Sequence, residues 1–583
     1  MPEPTGYHVG MFIRPCYRTK NGKRHAYWAL VESQRTKQGP RQRVVAYLGE
    51  LDKAGRLGIE QAAEDADGRQ RELWDDVEPR WVEVDASRMR VENCRAFGGP
   101  WLVLELVREL GLDRFLAKAI PPGREDVPWP LVALVLVVSR ICEPSSELHV
   151  TEHFYPDSAL ADLLGVPPDK VNDDRVYRAL DAVLPHKVEL ETFLKDRLGD
   201  LFGLSYDLLL YDVTSTYFEG EAAANPMAQR GYSRDHRPDT KQVCIALVVS
   251  KCGMPLGYEV FAGNRTDVTT LREIVETMEG RYGQADRIWA VDRGMVSEAN
   301  IDFLKSGGRR YIVGTPRSAL RRYERELLSD DWDQVRDGLE VKLVPSPDGD
   351  ETFVLCRSRD RREKEKAMHA RFEKRIEEGL REIEASCSER KCRVAVIAKR
   401  LGKLLGRNSR AAGLFATDVV EDSDGRARLV WNKAAAWRDW ASLSEGCYLL
   451  RSNITDWRPE DLWTAYIQLT EAEAAFRIHK SDLRLRPIWH QKQDRVLAHI
   501  LVCFLAYVVW KTLAMRCRAA GLGDEPRRVF AELGRIRVVD VLLPTRTGIC
   551  IRKRCVTRPT EHQALLLQRL GLPLPERLKM TAM

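Results

Sequence analysis

The stretch LLLYDVTSTYFEG, Leu208 to Gly220, decides how this chain is read. An apolar run leads to Asp212, and β-branched and aromatic residues follow, the composition of a buried strand that brings a carboxylate to the edge of a sheet. Downstream, VCIALVVS and PLGYEVFAG are again strand-like and are set apart by turn residues. DVTTLREIVETMEGRYG reads as a helix, and IWAVDRG and RRYIVGTP as short apolar strands. Three neighbouring strands followed by alternating helix and strand imply an α/β layout around one sheet. Asp292 follows IWAV much as Asp212 follows LLLY. In open α/β sheets ligands collect where strands end. One Asp at such a place serves equally well as a turn former or helix cap.

After Pro316 the pattern departs from this alternation. A hairpin with a PDGD turn (Leu339 to Cys356), a highly charged helix (Asp360 to Ser386) and a second hairpin with an SDG turn (Leu414 to Trp431) follow one another. GCYLLRSNI then returns to a buried-strand pattern, so an inserted domain is expected to interrupt the sheet. Next comes WTAYIQLTEAEAAFRIHK, Trp463 to Lys480, which reads as a helix. Seven steps of about 100° return to within roughly 20° of the start, so Tyr466, Glu473 and Lys480 share one face, with Arg477 beside them. Glu471 points elsewhere. A stripe of this kind is equally the pattern of a solvated face. With Asp212 and Asp292, however, Glu473 makes a third carboxylate, and three such groups in one place repel unless cations hold them together. Oxygen-only ligands suit magnesium or manganese. Asp207 and Asp267 are rival carboxylates. The first opens its strand and the second reads as a helix N-cap.

At 583 residues the chain is too long for one core, and 44% hydrophobic with 31% charged residues describes a globular protein and not a disordered one. The net charge of +6 permits a polyanionic partner without requiring one. Its distribution is more pointed. Arg14 to Arg43 holds nine Lys or Arg against one acid, and Arg390 to Arg410 holds eight and none. With IRKRC near the C-terminus, these blocks tilt towards phosphate contacts. Thirteen cysteines show no CxxC pair and no Cys and His at zinc spacing, so a reducing cytosol fits, with neither a disulfide framework nor a structural zinc indicated. The N-terminus lacks the apolar core of a signal peptide. VLAHILVCFLAYVVW, Val496 to Trp510, falls short of a bilayer span and reads as a buried helix, so no membrane partner is expected. Residues 10–50 alternate in short runs around NGK and QGP, a small β-rich module, whereas residues 99–205 turn helical. Within the latter, SALADLLGVPPDKVNDDRVYRALDAV has the layout of a helix-turn-helix.

Together these segments resemble the DDE transposases of bacterial insertion sequences, in particular the IS-four family. Its signature of Tyr, two residues, Arg, three, Glu, six, Lys is matched by Tyr466, Glu473 and Lys480, with Leu469 where the signature has Arg and Arg477 one turn beyond the glutamate. YDVTSTYFEG resembles the family's first-Asp strand, GYSRDHRPDTKQV and GMPLGYEVFAGNRTD the block after it, AVDRGM its second-Asp strand and LRLRPIWH its tail. The resemblance runs from about Ser205 to Ala506, with a fainter echo in YLGEL. It implies an RNase H-like catalytic core interrupted by an insertion domain. The expected division is a β-rich module and linker (1–98), a helical, DNA-binding domain (99–204), the core's first part (205–315), the insertion (316–445), the core's second part (446–520) and a C-terminal tail (521–583). It further implies that Asp212, Asp292 and Glu473 bind two Mg2+ ions, replaceable by Mn2+, and that Tyr466, Arg477 and Lys480 hold DNA. The expected activity is cutting double-stranded DNA at terminal inverted repeats and joining the ends to target DNA, by a homodimer in the bacterial cytoplasm at the nucleoid. The alternatives are a transposase-derived DNA-binding protein that no longer cleaves, and a nuclease on the same fold that cuts without joining.

Overall fold

The computed structural model describes residues 11–20, 23–36, 39–49, 82–346, 349–389, 392–421, 425–546, 548–576 and 578. The NGK and QGP turns, parts of the PDGD and SDG turns, the end of YLGEL, and Arg390 and Lys391 of the basic block fall wholly or partly outside these residues. In chain order the strands are β1 (Met11–Lys20), β2 (Lys23–Thr36), β3 (Gly39–Gly49), β4 (Arg90–Ala96), β5 (Leu208–Tyr217), β6 (Gln242–Ser250), β7 (Pro255–Ala262), β8 (Ile288–Val291), β9 (Arg310–Gly314), β10 (Asp333–Arg336), β11 (Leu339–Val344), β12 (Thr352–Ser358), β13 (Phe415–Glu421), β14 (Ala427–Lys433), β15 (Cys447–Ser452), β16 (Arg537–Pro544) and β17 (Cys550–Val556). The chain divides into two units: residues 1–205, 213–265 and 473–583 form the first, and 206–212 with 266–472 the second.

In the second unit the start of β5 runs parallel to β8, and β8 parallel to β9. Antiparallel partners β15, β12, β11 and β10 continue outward from β9 in that order. The result is a large mixed sheet, consistent with an RNase H-like fold. Its parallel strands are short, apolar and buried along their length, as strands covered on both faces must be. The first hairpin after Pro316 was expected to belong to an insertion, yet β11 and β12 join the sheet through β15. The apolar FVLC of β12 is buried between β11 and β15, as the core of an inner strand is. The charged helix Arg359–Glu389 does stand on a core of its own, in which Ile376, Leu380 and Ile383 pack with Ile397, Leu401, Phe415 and Leu429 of the segments that follow.

In the first unit β1, β2 and β3 form an antiparallel meander, as the N-terminal alternation suggests. The helical part is built on Trp129–Cys142, buried on nearly every side, and on Gln493–Ala519. The latter helix is long and apolar enough to cross a membrane, but 94% of its most apolar window is buried inside the fold, which is how a core helix is placed. In the helix-turn-helix candidate, Asp173–Val183 is a full helix capped by the Asn172 side chain, but Leu160–Leu164 spans only five residues before Gly165 ends it at positive φ. Residues 521–583 are not a tail. β16 pairs with both β17 and β4, which were expected to lie in separate domains, and Arg554 of IRKRC is buried in ion pairs with Asp540 and Asp162. That arginine therefore serves the fold and not a phosphate. Gly98 permits the closest helix approach here, since a Cβ there would lie 1.9 Å from the carbonyl oxygen of Leu533.

Candidate active site

The register of the parallel strands brings two acids together. Tyr211 pairs with Val291, so the next residues, Asp212 and Asp292, fall side by side where the paired segment of β5 and β8 ends. Neighbouring strands lie about 4.8 Å apart. Asp212 is half-buried and Asp292 exposed. Beyond Asp292 the chain turns into the short helix Arg293–Met295, and beyond β7 a similar turn spans Asp267–Thr269. Asn300 fastens both turns, its Nδ2 donating to the carbonyls of Val268 at 2.8 Å and Met295 at 2.9 Å. Tyr211, just before Asp212, adds a second tie: its hydroxyl is 2.6 Å from that of Thr270, which donates to the Asp267 carbonyl.

Asp267 is consequently more than the helix cap expected of it. Thr266 and Thr270 take the cap positions. A Cβ on Gly294 would lie 3.9 Å from Asp292 Oδ2 and 4.0 Å from Asp267 Oδ2, so both carboxylates flank the open side of this glycine. The signal for Asp267 was in the sequence, since it closes GNRTD after a strand as Asp212 and Asp292 follow theirs. Carboxylate oxygens are the donor type that a hard divalent cation takes.

Tyr466 joins the same site from the helix Pro459–Ile467. Its hydroxyl donates to Asp292 Oδ1 at 3.5 Å. The ring is accommodated by Gly314 at the end of β9, where a Cβ would stand 2.3 Å from the hydroxyl oxygen. Burial, and then the charge of Asp292, push the phenol well above its ordinary pKa, so it stays a hydrogen-bond donor.

The stripe expected from Tyr466 to Lys480 is broken. The helix stops at Gln468, a new one runs from Leu469 to Arg477, and a π-helical turn occupies Ile478–Asp482. Each interruption shifts the angular phase on which the equal-face argument rested. Glu473 and Arg477 are exposed on the second helix. Lys480 turns inward instead: its Nζ donates to Asp235 Oδ1 at 2.9 Å, and Arg486 pairs with the same oxygen. Burial pushes the Lys480 ammonium pKa down, and Asp235 offsets part of that.

A cleft of about 1010 Å³ opens beside Arg293 in the second unit. Arg336, Arg361, Lys364 and Arg410 line it with Trp437, Trp440 and Trp463. Arg336 lies over the Trp463 ring at 5.2 Å, and Trp463 donates to the Tyr448 hydroxyl at 2.6 Å. Charge interleaved with flat rings suits a nucleic-acid strand. Arg410 closes the basic block read in the sequence and Trp463 opens the WTAYIQ stretch, but their grouping was not legible there, because the lining comes from strands and helices scattered from residue 293 to 463.

The mixed α/β sheet thus sets two acids beside one another at its parallel strand ends, with a cleft lined by arginines and tryptophans beginning at Arg293. Residues 203–509, more than half of the chain, match the transposase DDE domain, and the chain belongs to that family: it is a DDE transposase, a DNA-cleaving and strand-transferring enzyme. Residues 13–75 match the N-terminal domain of IS1634 family transposases. No curated protein matches the sequence. Among solved structures, a piggyBac transposase synaptic complex with hairpin DNA aligns over 78% of this chain and 82% of its own at 9% identity and a TM-score of 0.36. The family implies a divalent metal at its acids.

Proposed function

We propose that this enzyme cuts DNA at the terminal inverted repeats of its own insertion sequence and joins the freed 3′ ends to target DNA. The observation carrying this reading is the place of Asp212 and Asp292, each one residue beyond the last parallel pair, Tyr211 with Val291, inside the family match. Asp212, Asp292 and Glu473 are the proposed ligands of two Mg2+ ions, with Asp267 as a nearby carboxylate. Bound divalent cations would supply positive charge to the attacked phosphate and ease departure of its 3′ oxygen. The residues of the chain do the rest. Tyr466 orients Asp292 through its hydroxyl, and Arg293 and the adjoining cleft hold phosphates of the strand being cut. Arg477, exposed one turn past Glu473, takes the contact that the missing signature arginine would make. Lys480 contributes from its ion pair with Asp235.

The finer placement in the IS-four family rests on the spacing of Tyr466, Glu473 and Lys480, and it stands beside the IS1634 match of the N-terminal residues. Double-stranded ends and target DNA as partners, a homodimer on paired ends and a place at the bacterial nucleoid belong to the same proposal. The test is cleavage and strand transfer by the purified protein on labelled inverted-repeat DNA with Mg2+ or Mn2+. Cutting without joining would leave a nuclease, and specific binding without cutting a silent derivative.

A further inference from the structure

Away from the paired acids, the helical part of the first unit buries another set of donor atoms. Glu147 opens the helical turn Glu147–His149, His490 lies ahead of Gln493–Ala519, and His499 lies within that helix; each is less than 10% exposed. His490 Nε2 is 3.1 Å from Glu147 Oε1, and His499 Nδ1 is 3.8 Å from the same oxygen. All three donor atoms lie within 4.8 Å of one another. Although buried, His499 Nδ1 has no hydrogen-bond partner among the described residues. Its other ring nitrogen faces the Leu485 carbonyl at 3.4 Å and Cys503 Sγ at 3.9 Å. An imidazole that gives its Nε2–H to a carbonyl keeps its lone pair on Nδ1, and metal-ligating histidines are oriented in this way.

We infer that Glu147, His490 and His499 bind one zinc ion, which fastens the turn at residue 147 to the long core helix. Tetrahedral zinc with ligands at about 2.0–2.1 Å places neighbouring donors about 3.3 Å apart, so the observed separations need only small side-chain shifts. Two imidazoles and a carboxylate favour zinc over magnesium, which sets this site apart from the oxygen-only acids of the sheet. Arg140 Nη2, 3.9 Å from the same carboxylate, competes with a cation for it. No sequence spacing announces the set, because residues 147, 490 and 499 meet only through packing.

The test is metal analysis of the full chain, freed of any histidine tag and dialysed, together with its melting temperature. About one zinc per chain is expected, and ZnCl2 should raise the Tm of chelator-treated protein by at least about 3 °C, since binding energy at a structural site is folding energy. Glu147→Gln and His499→Gln should lose both effects. Asp292→Ala should keep them, and Arg140→Gln should keep or strengthen them. Retention of stoichiometric zinc by His499→Gln would overturn the inference, as would wild-type protein without zinc and without a zinc-dependent Tm. Should His499→Gln fail to fold, Co2+ added to chelated wild type decides: visible bands of a tetrahedral site support the assignment, and their absence ends it.

Discussion

The hydroxyl of Tyr466 stands 3.5 Å from Asp292 Oδ1, over a glycine, Gly314, that leaves it just enough room. Two substitutions separate the hydrogen bond from the packing. Tyr466→Phe keeps the ring and is expected to lower cleavage several-fold, with stability changed by about 1 kcal/mol or less, the usual worth of one hydrogen bond. Gly314→Ala puts a methyl group 2.3 Å from the hydroxyl oxygen and should cost about 1–3 kcal/mol as well as activity. Combining Gly314→Ala with Tyr466→Ala should recover much of that stability. Urea denaturation of the single and double variants reads this coupling, and strict additivity would contradict the close approach.

Asp292 is exposed and forms no ion pair among the described residues, so Asp292→Ala should leave stability within about 0.5 kcal/mol. Cleavage of inverted-repeat DNA should fall more than about 100-fold, because even outer partners of a metal ligand are worth 10–100-fold. End binding in a gel-shift assay should persist. Asp267→Ala provides the comparison: a loss as deep as that of Asp292→Ala would make Asp267 a full member of the acid set.

Local composition made the strands around the acids legible. LLLY and IWAV are apolar, short and followed by Asp, and they became neighbouring parallel strands. Their register was not legible, because pairing is decided by what lies between the strands in space and not by either run alone. The break at Gln468 and the π-helical turn at Ile478–Asp482 carry no Pro or Gly to announce them, so periodicity continued a helix that the fold interrupts. Charge patterns misled for a related reason: Arg554 and Lys480 look like surface cations in sequence, and their burial depends on acids at 540, 162 and 235.

Lys480 carries a prediction that distinguishes support from DNA contact. Its side chain is 11% exposed and that of Asp235 only 4%. Lys480→Ala strands a buried carboxylate that retains Arg486 alone, and it should cost on the order of 3 kcal/mol. Asp235→Ala combined with Lys480→Ala should cost less than the two single losses added, measured by urea denaturation. If Lys480 instead serves mainly as a phosphate contact, its removal would leave stability unchanged and lower the salt slope of end binding by about one unit.

His479 gives the pH dependence a sign. Burial lowers its pKa to about 4, against 6.5 for an unhindered imidazole; Nδ1 donates to the Ala475 carbonyl at 2.9 Å and the ring lies 4.5 Å from that of Tyr507. Above pH 6.5 the residue is neutral in folded and unfolded chains alike and has no effect on the balance. Between 6.5 and 4 the unfolded chain takes up a proton that the folded one refuses, so stability falls with pH at up to about 1.4 kcal/mol per unit, about 3 kcal/mol in all. His479→Phe preserves a ring against Tyr507, removes the titrating nitrogen and gives up the hydrogen bond to Ala475. Its unfolding free energy should start lower at pH 7.5 and decline less steeply towards pH 4.5 than that of the wild type. Parallel pH profiles for the two proteins would show that His479 is protonated in the folded state after all.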